Sequence, residues 1–141
     1  MGKISVVYWS QSGNTLAMAE AIGKGITDGG AQAEVVNVSS CQVSDLDTEE
    51  VFALGCPAMG AEVLEESEME PFVAELEGNV KGKKIALFGS YGWGDGQWMR
   101  DWEKDCDDAG INLVCESVIC CETPDDTVLE ACRAMGKALA E

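Results

Sequence analysis

The chain has 141 residues, a hydrophobic content of 46% and a formal net charge of −17 at pH 7. That length predicts one domain over residues 1–141 with a substantial core, and the strong negative charge argues against binding to nucleic acid or anionic membranes. Histidine is absent, which excludes the commonest general base and any Ser–His or Cys–His nucleophile within the chain.

Apolar runs and helical periodicities alternate along the whole chain. The runs predict five strands, and three of them are almost continuously apolar, as expected of strands buried on both faces of a parallel sheet. The predicted strands are Ile4–Trp9, Ala33–Val38, Val51–Gly55, Lys83–Gly89 and Leu113–Cys121. The predicted helices are Asn14–Asp28, Ser67–Leu76, one from Asp95 or Gly96 to Ala109, and a last helix capped by Thr123 or Asp125.

This alternation predicts an α/β fold, a three-layer doubly wound domain around a five-stranded parallel sheet. Ligands of such sheets bind beyond the carboxyl ends of the strands. The first loop at that edge, Ser10–Thr15, offers hydroxyls, an amide and a glycine but no Lys or Arg. Such a loop at the start of a helix can cradle an anion with neutral donors, although the same residue types also serve simply to cap helices.

Seven cysteines occur without any CxxC pair, so their spacing does not indicate a metal site. Most are expected to be buried apolar residues in a reducing compartment. No apolar run approaches the roughly 20 residues of a membrane span, and the N-terminal residues do not resemble a signal peptide. A cytoplasmic location is therefore expected. The cysteines are Cys41, Cys56, Cys106, Cys115, Cys120, Cys121 and Cys132.

Three loops, each following a predicted strand, contain distinctive sequences. They are Ser10-Gln11-Ser12-Gly13-Asn14-Thr15, Gly55-Cys56-Pro57-Ala58-Met59-Gly60-Ala61-Glu62 and Gly89-Ser90-Tyr91-Gly92-Trp93-Gly94. In this order the loops resemble those of the flavodoxins, the small FMN-containing electron carriers, in their short-chain, clostridial type. The resemblance covers essentially the whole chain. It implies the flavodoxin-like strand order 2-1-3-4-5 and a non-covalently bound FMN at the ends of strands one, three, four and five.

The resemblance assigns the FMN phosphate to the first loop. Its hydroxyl and amide side chains would hold the phosphate together with backbone N–H groups, and Gly13 would let the main chain approach closely. Two positions depart from the family, since Gln11 stands where a small residue is common and Ser12 stands where threonine is usual. The phosphate-binding residues would be Ser10, Gln11, Ser12, Gly13, Asn14 and Thr15.

The second loop would contact the edge of the flavin ring that changes on reduction. The Gly60–Ala61 peptide would flip when the flavin takes one electron. Its carbonyl would then accept a hydrogen bond from the protonated N5 and so stabilise the neutral semiquinone. Glu62 would accept from the flavin N3–H. The residues alone also fit an ordinary turn with a helix-capping Glu. Met59 would lie against the inner face of the ring and Trp93 would stack on its outer face.

The remaining contacts implied by the resemblance are less specific. Ser90 would reach the ribityl chain, Tyr91 would line the pocket, and Cys121 in the fourth loop would serve through its backbone. Trp98 and Trp102, four residues apart on a helix, are predicted to lie in the core, and Trp9 is predicted to pack. The other FMN-contacting residues would be Pro57, Ala58, Gly92 and Gly94.

The implied function is a low-potential one-electron carrier, not an enzyme, that shuttles between the semiquinone and hydroquinone of FMN. The implied partners are redox proteins with basic docking surfaces, such as ferredoxin-type reductases, 2-oxoacid oxidoreductases, hydrogenase or nitrogenase, and a monomer is expected. An FMN-dependent NAD(P)H quinone or azo-compound reductase is the alternative on this fold. A response-regulator receiver domain would need acidic residues where this chain has Trp9-Ser10 and Gly55-Cys56.

Removing acidic charge near the flavin should raise the semiquinone–hydroquinone potential. A carboxylate roughly 10 Å from an anionic flavin contributes about 0.8 kcal/mol at an effective dielectric constant of about 40. The double substitution Glu65→Gln and Glu66→Gln should therefore raise this potential in a redox titration at low salt. An unchanged potential would contradict the electrostatic argument.

Overall fold

Parallel strands and helices alternate in the computed structural model, which describes residues 3–10, 13–46, 49–58, 68–77, 83–92 and 96–140. Over these ranges the strands are β1 (Lys3–Tyr8), β2 (Gln32–Asn37), β3 (Val51–Gly55), β4 (Lys84–Tyr91), β5 (Asn112–Leu113) and β6 (Val118–Cys121). The helices are α1 (Asn14–Asp28), α2 (Met69–Glu77), α3 (Gln97–Asp108) and α4 (Asp126–Ala140), with short 3₁₀ turns at Val38–Ser40 and Val43–Leu46.

The strands form one parallel sheet with the order β2-β1-β3-β4-β5, and β6 also pairs with β4. This confirms the predicted order 2-1-3-4-5. The prediction of a single fifth strand over Leu113–Cys121 is wrong, because β5 pairs with the start of β4 and β6 with its end. Between these pairings the four residues 114–117 lie opposite only Ala86 and Leu87, so the ladder is interrupted by a bulge.

Helices cover both faces of the sheet and enclose two cores. On one face, α1 and α4 pack over side chains such as Val6 and Ala86; on the other, α2 and α3 pack over side chains such as Val7 and Leu87. These strand residues are 0% exposed, as expected for strands covered on both sides. The three-layer architecture predicted from the alternation is confirmed.

The contact between α1 and α4 depends on two glycines. A Cβ added to Gly25 would lie 2.0 Å from the carbonyl oxygen of Arg133, and one added to Gly136 would lie 2.1 Å from that of Ile22. The backbones of the two helices therefore approach more closely than any side chain would allow. This close packing fixes α1, whose first turn lies at the functional edge of the sheet.

The remaining helix predictions agree with the structure in most respects. Trp98 and Trp102 are each 1% exposed, which confirms that they are core residues of α3. In α4 the backbone N–H of Val128 donates to Asp125 Oδ1 at 2.9 Å, so Asp125 rather than Thr123 caps this helix. No helix in the described part of the chain is long and apolar enough to span a bilayer.

A buried carboxylate joins the start of β1 to the segment that leads into β3. Glu49 is 6% exposed, and its two carboxylate oxygens accept from the backbone N–H and the hydroxyl of Ser5, each at 2.7 Å. Lys3 Nζ lies 3.8 Å from the same carboxylate. The Lys83 ammonium donates to the carbonyl oxygens of Leu46 and Glu49, each at 2.6 Å. Side chains thus complete the hydrogen bonding at the amino end of the sheet.

Replacing Glu49 should destabilise the fold strongly. The substitution Glu49→Ala leaves the buried donors of Ser5 without an acceptor and should lower the free energy of unfolding by about 2–4 kcal/mol. Glu34→Ala is the matched control, because Glu34 pairs with Lys3 at 3.3 Å but its side chain is 51% exposed. An exposed ion pair contributes only about 0–1 kcal/mol. Urea unfolding of both variants tests the difference, and equal midpoints would contradict the assigned role of Glu49.

Candidate cofactor site

The carboxyl ends of four strands meet at one edge of the sheet. Tyr8 at the end of β1 is in register with Gly55 at the end of β3, and Tyr91 at the end of β4 is in register with Cys121 at the end of β6. Because all pairings are parallel, the loops that leave these residues lie on the same side. The structure therefore brings together the strand ends from which the loops singled out in the sequence depart.

The structure describes part of the predicted site. The described site residues are Ser10, Gly13, Asn14, Thr15, Pro57, Ala58, Ser90, Tyr91, Gly92 and Cys121. The predicted site residues Gln11, Ser12, Met59, Gly60, Ala61, Glu62, Trp93 and Gly94 lie outside the described residues, as do Glu65, Glu66 and Asp95.

The loop after β1 turns directly into α1. The hydroxyl of Ser10 accepts from the backbone N–H of Gly13 at 3.1 Å. Gly13 precedes the helix with φ of 92°, a left-handed conformation that favours glycine, and it supplies no side-chain cap. The volume that a Cβ would occupy at Gly13 is free of other atoms within 4 Å. The loop therefore leads into the positive end of the α1 dipole without placing a capping side chain at the N-cap position.

A buried pair of hydroxyls connects α1 to β4. Thr15 Oγ1 and Ser90 Oγ lie 2.9 Å apart, and the two residues are 1% and 4% exposed. Sequence reasoning placed Thr15 at a phosphate and Ser90 at a ribityl chain, and it did not foresee that the two side chains are partners. Their separation of 75 positions in the chain leaves no local signal of the contact.

The loop after β3 continues along β4 for three residues. Cys56 N–H donates to the carbonyl of Phe88 at 3.2 Å, and Ala58 N–H donates to that of Ser90 at 2.9 Å. The indole N–H of Trp98 donates to the carbonyl of Cys56 at 3.2 Å. These bonds hold the segment Cys56–Ala58 against the sheet, so its geometry is set by β4 and α3.

The loops after β4 and β6 are bonded to one another. Glu122 N–H donates to the carbonyl of Tyr91 at 2.6 Å, and the ring of Tyr91 lies 5.5 Å from that of Trp98 at an angle of 52°. Glu122 has φ of 62°, the left-handed region that a non-glycine residue rarely occupies. The Cys120 thiol donates to the Glu122 carbonyl at 3.4 Å. Cys121 is exposed at this edge while Cys120 points into the core.

Trp9 links the end of β1 to the start of α2. Its backbone N–H donates to the carbonyl of Gly55 at 3.0 Å, and its indole N–H donates to Glu68 Oε1 at 3.2 Å. The side chain is partly buried against the core that contains α2 and α3, which confirms the prediction that Trp9 packs. Two contacts thus fix the point at which the chain enters the loop at Ser10. Sequence reasoning missed the contact with Glu68.

The four loops at this edge are acidic or neutral in sequence. The four loops Ser10–Thr15, Cys56–Glu62, Gly89–Gly96 and Cys121–Asp125 contain no Lys or Arg. An anion bound there would be held by hydroxyls, backbone N–H groups and the dipole of α1 rather than by a cation. The half-buried Tyr91 adds an aromatic surface. This set of donors fits a phosphate joined to a flat aromatic ring, as in FMN.

Comparison with known proteins shows that the chain is similar to the flavodoxins over almost its whole length. The family model described as Flavodoxin matches residues 6–136. A flavodoxin from Clostridium beijerinckii is 47% identical over 137 residues, which cover 97% of this chain and 99% of that protein. A flavodoxin from Megasphaera elsdenii is 42% identical over 138 residues, covering 98% of each. The solution structure of two-electron reduced Megasphaera elsdenii flavodoxin matches with a TM-score of 0.88 at 44% identity, covering 99% of this chain and 98% of that one.

The cysteines should differ sharply in reactivity. Burial raises the pKa of the Cys120 thiol to about 11 and that of Cys132 to about 12, and a thiol reacts as its thiolate. Desolvation likewise raises the pKa of the half-buried Cys41 to about 11. At pH 8 an aromatic disulfide reagent should therefore show one fast phase, from the exposed Cys121.

The substitution Cys121→Ser should remove this fast phase, while Cys41→Ser, the control at a half-buried thiol, should leave it intact. A fast phase that survives in Cys121→Ser would contradict the placement of Cys121 at the exposed edge of the sheet.

Proposed function

Because the chain belongs to the flavodoxin family, we propose that it carries single electrons at low potential between redox proteins, using the more reducing one-electron step of its cofactor. It is a small FMN-binding electron carrier rather than an enzyme. The observation that carries the proposal is that the strand ends leading into the family's loop sequences meet at one edge of the sheet, with hydroxyl groups at the start of α1. Bound FMN supplies the one-electron chemistry, and the protein supplies binding, orientation and electrostatics.

The proposed phosphate site lies at the start of α1. Ser10, Asn14 and Thr15 would contribute side-chain groups, and the turn at Gly13 allows the main chain to approach the anion. Gln11 and Ser12 complete this proposed set. Neutral donors suit the phosphate of a cofactor that stays bound better than a phosphoryl group that is being transferred.

The proposed ring site lies between the loops after β3 and β4. Since Cys56–Ala58 is bonded to β4 and to Trp98, the chain enters the segment Met59–Glu62 from a fixed position. Tyr91 leads in the same way into Gly92–Gly94. We propose that Met59 and Trp93 flank the ring, that Gly60, Ala61 and Glu62 contact its edge together with Pro57 and Ala58, and that the backbone of Cys121 approaches its other side.

The net charge of −17 supports the low potential and the choice of partner. Adding an electron to a cofactor surrounded by carboxylates is electrostatically costly, so the last electron is held weakly and given up readily. The same field attracts basic surfaces and speeds encounters with them. We therefore propose partners with basic docking surfaces, such as ferredoxin-type reductases, 2-oxoacid oxidoreductases, hydrogenase or nitrogenase.

Exposed carboxylates on α3 extend the acidic surface. Asp101, Asp105 and Asp107 are exposed there, whereas Lys104 is paired with Asp108 at 2.9 Å.

The alternative of an FMN-dependent quinone or azo-compound reductase is not favoured, since the full-length relatives at 42% and 47% identity are named flavodoxins.

Location and assembly are further parts of the proposal. None of the seven cysteines, all of which the structure describes, forms a disulfide, and cysteines kept as thiols are typical of a reducing compartment, which supports a cytoplasmic location. We propose a monomer that consists of one domain over residues 1–141. Size-exclusion chromatography with light scattering would test the monomer directly.

Stepwise anaerobic reduction of the purified chain with FMN should proceed in two separate one-electron steps. The protein environment should move the second step to a lower potential than in free FMN, because the acidic domain disfavours the final negative charge. Absorbance spectra and potentials measured during the titration check this, with free FMN in the same buffer as the control. Direct passage of bound flavin to the two-electron form would favour the reductase, and failure to bind FMN would contradict both functions.

A further inference from the structure

The contact between Thr15 and Ser90 is unusual in its burial and its position. The two hydroxyls are 2.9 Å apart, and each residue is more than nine-tenths buried. Thr15 is the second residue of α1, and Ser90 lies one residue before the end of β4. The pair therefore spans the space between the proposed phosphate site and the strand that forms the middle of the cofactor edge.

The two hydroxyls together carry one more hydrogen than their mutual contact uses. Each hydroxyl carries one hydrogen and can accept two, so the contact between the two oxygens uses only one of the two hydrogens. Among the residues described by the structure, neither hydroxyl has another recorded side-chain partner. One buried hydrogen is consequently left to be donated to an acceptor outside the pair, and buried donors without acceptors are disfavoured.

Either hydroxyl could donate to the other, and their surroundings favour Thr15 as the one that carries the spare hydrogen. Thr15 lies in the first turn of α1, where the helix dipole attracts a negative group. Ser90 lies within β4, and its backbone carbonyl is already bonded to Ala58 N–H at 2.9 Å. If Ser90 donates to Thr15, the Thr15 hydrogen is free to point away from the sheet. Accepting one hydrogen bond also strengthens the bond that the Thr15 hydroxyl donates.

We propose that Ser90 is a positioning residue for phosphate binding, which acts by donating its hydroxyl hydrogen to Thr15 so that Thr15 donates to the phosphate. This inference rests on the proposed function and changes the role of Ser90 from the ribityl contact that the sequence suggested. A helical threonine otherwise divides its hydroxyl between two rotamers, because it can also bond to a backbone carbonyl one turn earlier. Ser90 holds the rotamer that faces the ligand.

The test compares the affinities for FMN and for riboflavin, which lacks the phosphate. In the full chain, Ser90→Ala should weaken FMN binding about tenfold and leave riboflavin binding within about twofold, since a charge-assisted hydrogen bond of about 1.4 kcal/mol corresponds to a factor of ten. Fluorescence quenching gives both dissociation constants. An unchanged riboflavin affinity also shows that the variant is folded. Ser5→Ala is the matched control, because it removes a buried strand hydroxyl, 2% exposed, that is bonded to Glu49.

A double-mutant cycle separates positioning from direct contact. If Ser90 acts through Thr15, the double variant Ser90→Ala/Thr15→Val should bind FMN no more weakly than Thr15→Val alone. Additive losses would overturn the proposal, and so would equal losses of FMN and riboflavin affinity in Ser90→Ala, which would indicate a ribityl contact or a general structural role.

The retained-hydroxyl variant Ser90→Thr provides a second check, because it should keep more of the preference for FMN over riboflavin than Ser90→Ala does. A loss of that preference as large as in Ser90→Ala would overturn the proposal. A wild-type chain that binds neither flavin would instead contradict the proposed function, so the two failures are distinguishable.

Discussion

The parallel direction of every strand pairing is the constraint on which the functional edge depends. A parallel sheet must be covered on both faces, and the helices that cover it return each strand to the same starting edge. The carboxyl ends of β1, β3, β4 and β6 therefore meet at the opposite edge, where Tyr8 is in register with Gly55 and Tyr91 is in register with Cys121. The two edges serve different purposes. At the amino edge, the buried carboxylate of Glu49 accepts hydrogen bonds from Ser5, whereas loops follow the strands at the carboxyl edge and are available to a ligand.

Backbone hydrogen bonds to the strands fix the first residues of these loops. Ala58 is bonded to Ser90, Trp9 to Gly55 and Glu122 to Tyr91, so each loop begins from a position that a neighbouring strand fixes. These described loop residues are held in place before a ligand binds, which lowers the cost of ordering them on binding. Glu122 retains a left-handed backbone within this bonded arrangement, and such strained residues concentrate at functional sites.

The absence of cations from the four loops links binding to redox function. A lysine or arginine at this edge would strengthen phosphate binding, but it would also stabilise added negative charge on the flavin and raise its potential. In the proposed site, hydroxyls and the α1 dipole would bind the phosphate locally while the net charge of −17 still acts on the ring. The buried pair of Thr15 and Ser90 would belong to this neutral set of donors.

The sequence predicted the architecture well because the relevant signals are local. Continuous apolar runs identified β1, β3 and β4, and the spacing of Trp98 and Trp102 identified the buried face of α3. The break between β5 and β6 was not predicted, because apolar residues on both sides of residues 114–117 hide a bulge that depends on pairing with β4. The partnership of Thr15 with Ser90 was missed for a similar reason, since it joins residues far apart in the chain.

We propose that FMN binds at the carboxyl edge of the sheet. Backbone amide shifts of the isotope-labelled chain, recorded by NMR with and without FMN, test it most directly. We expect large changes at Gly13, Thr15, Ala58 and Ser90 and small ones at the amino edge, for example at Lys84, which starts β4. Large changes confined to the amino edge, or to the outer surfaces of the helices, would contradict FMN binding at the carboxyl edge.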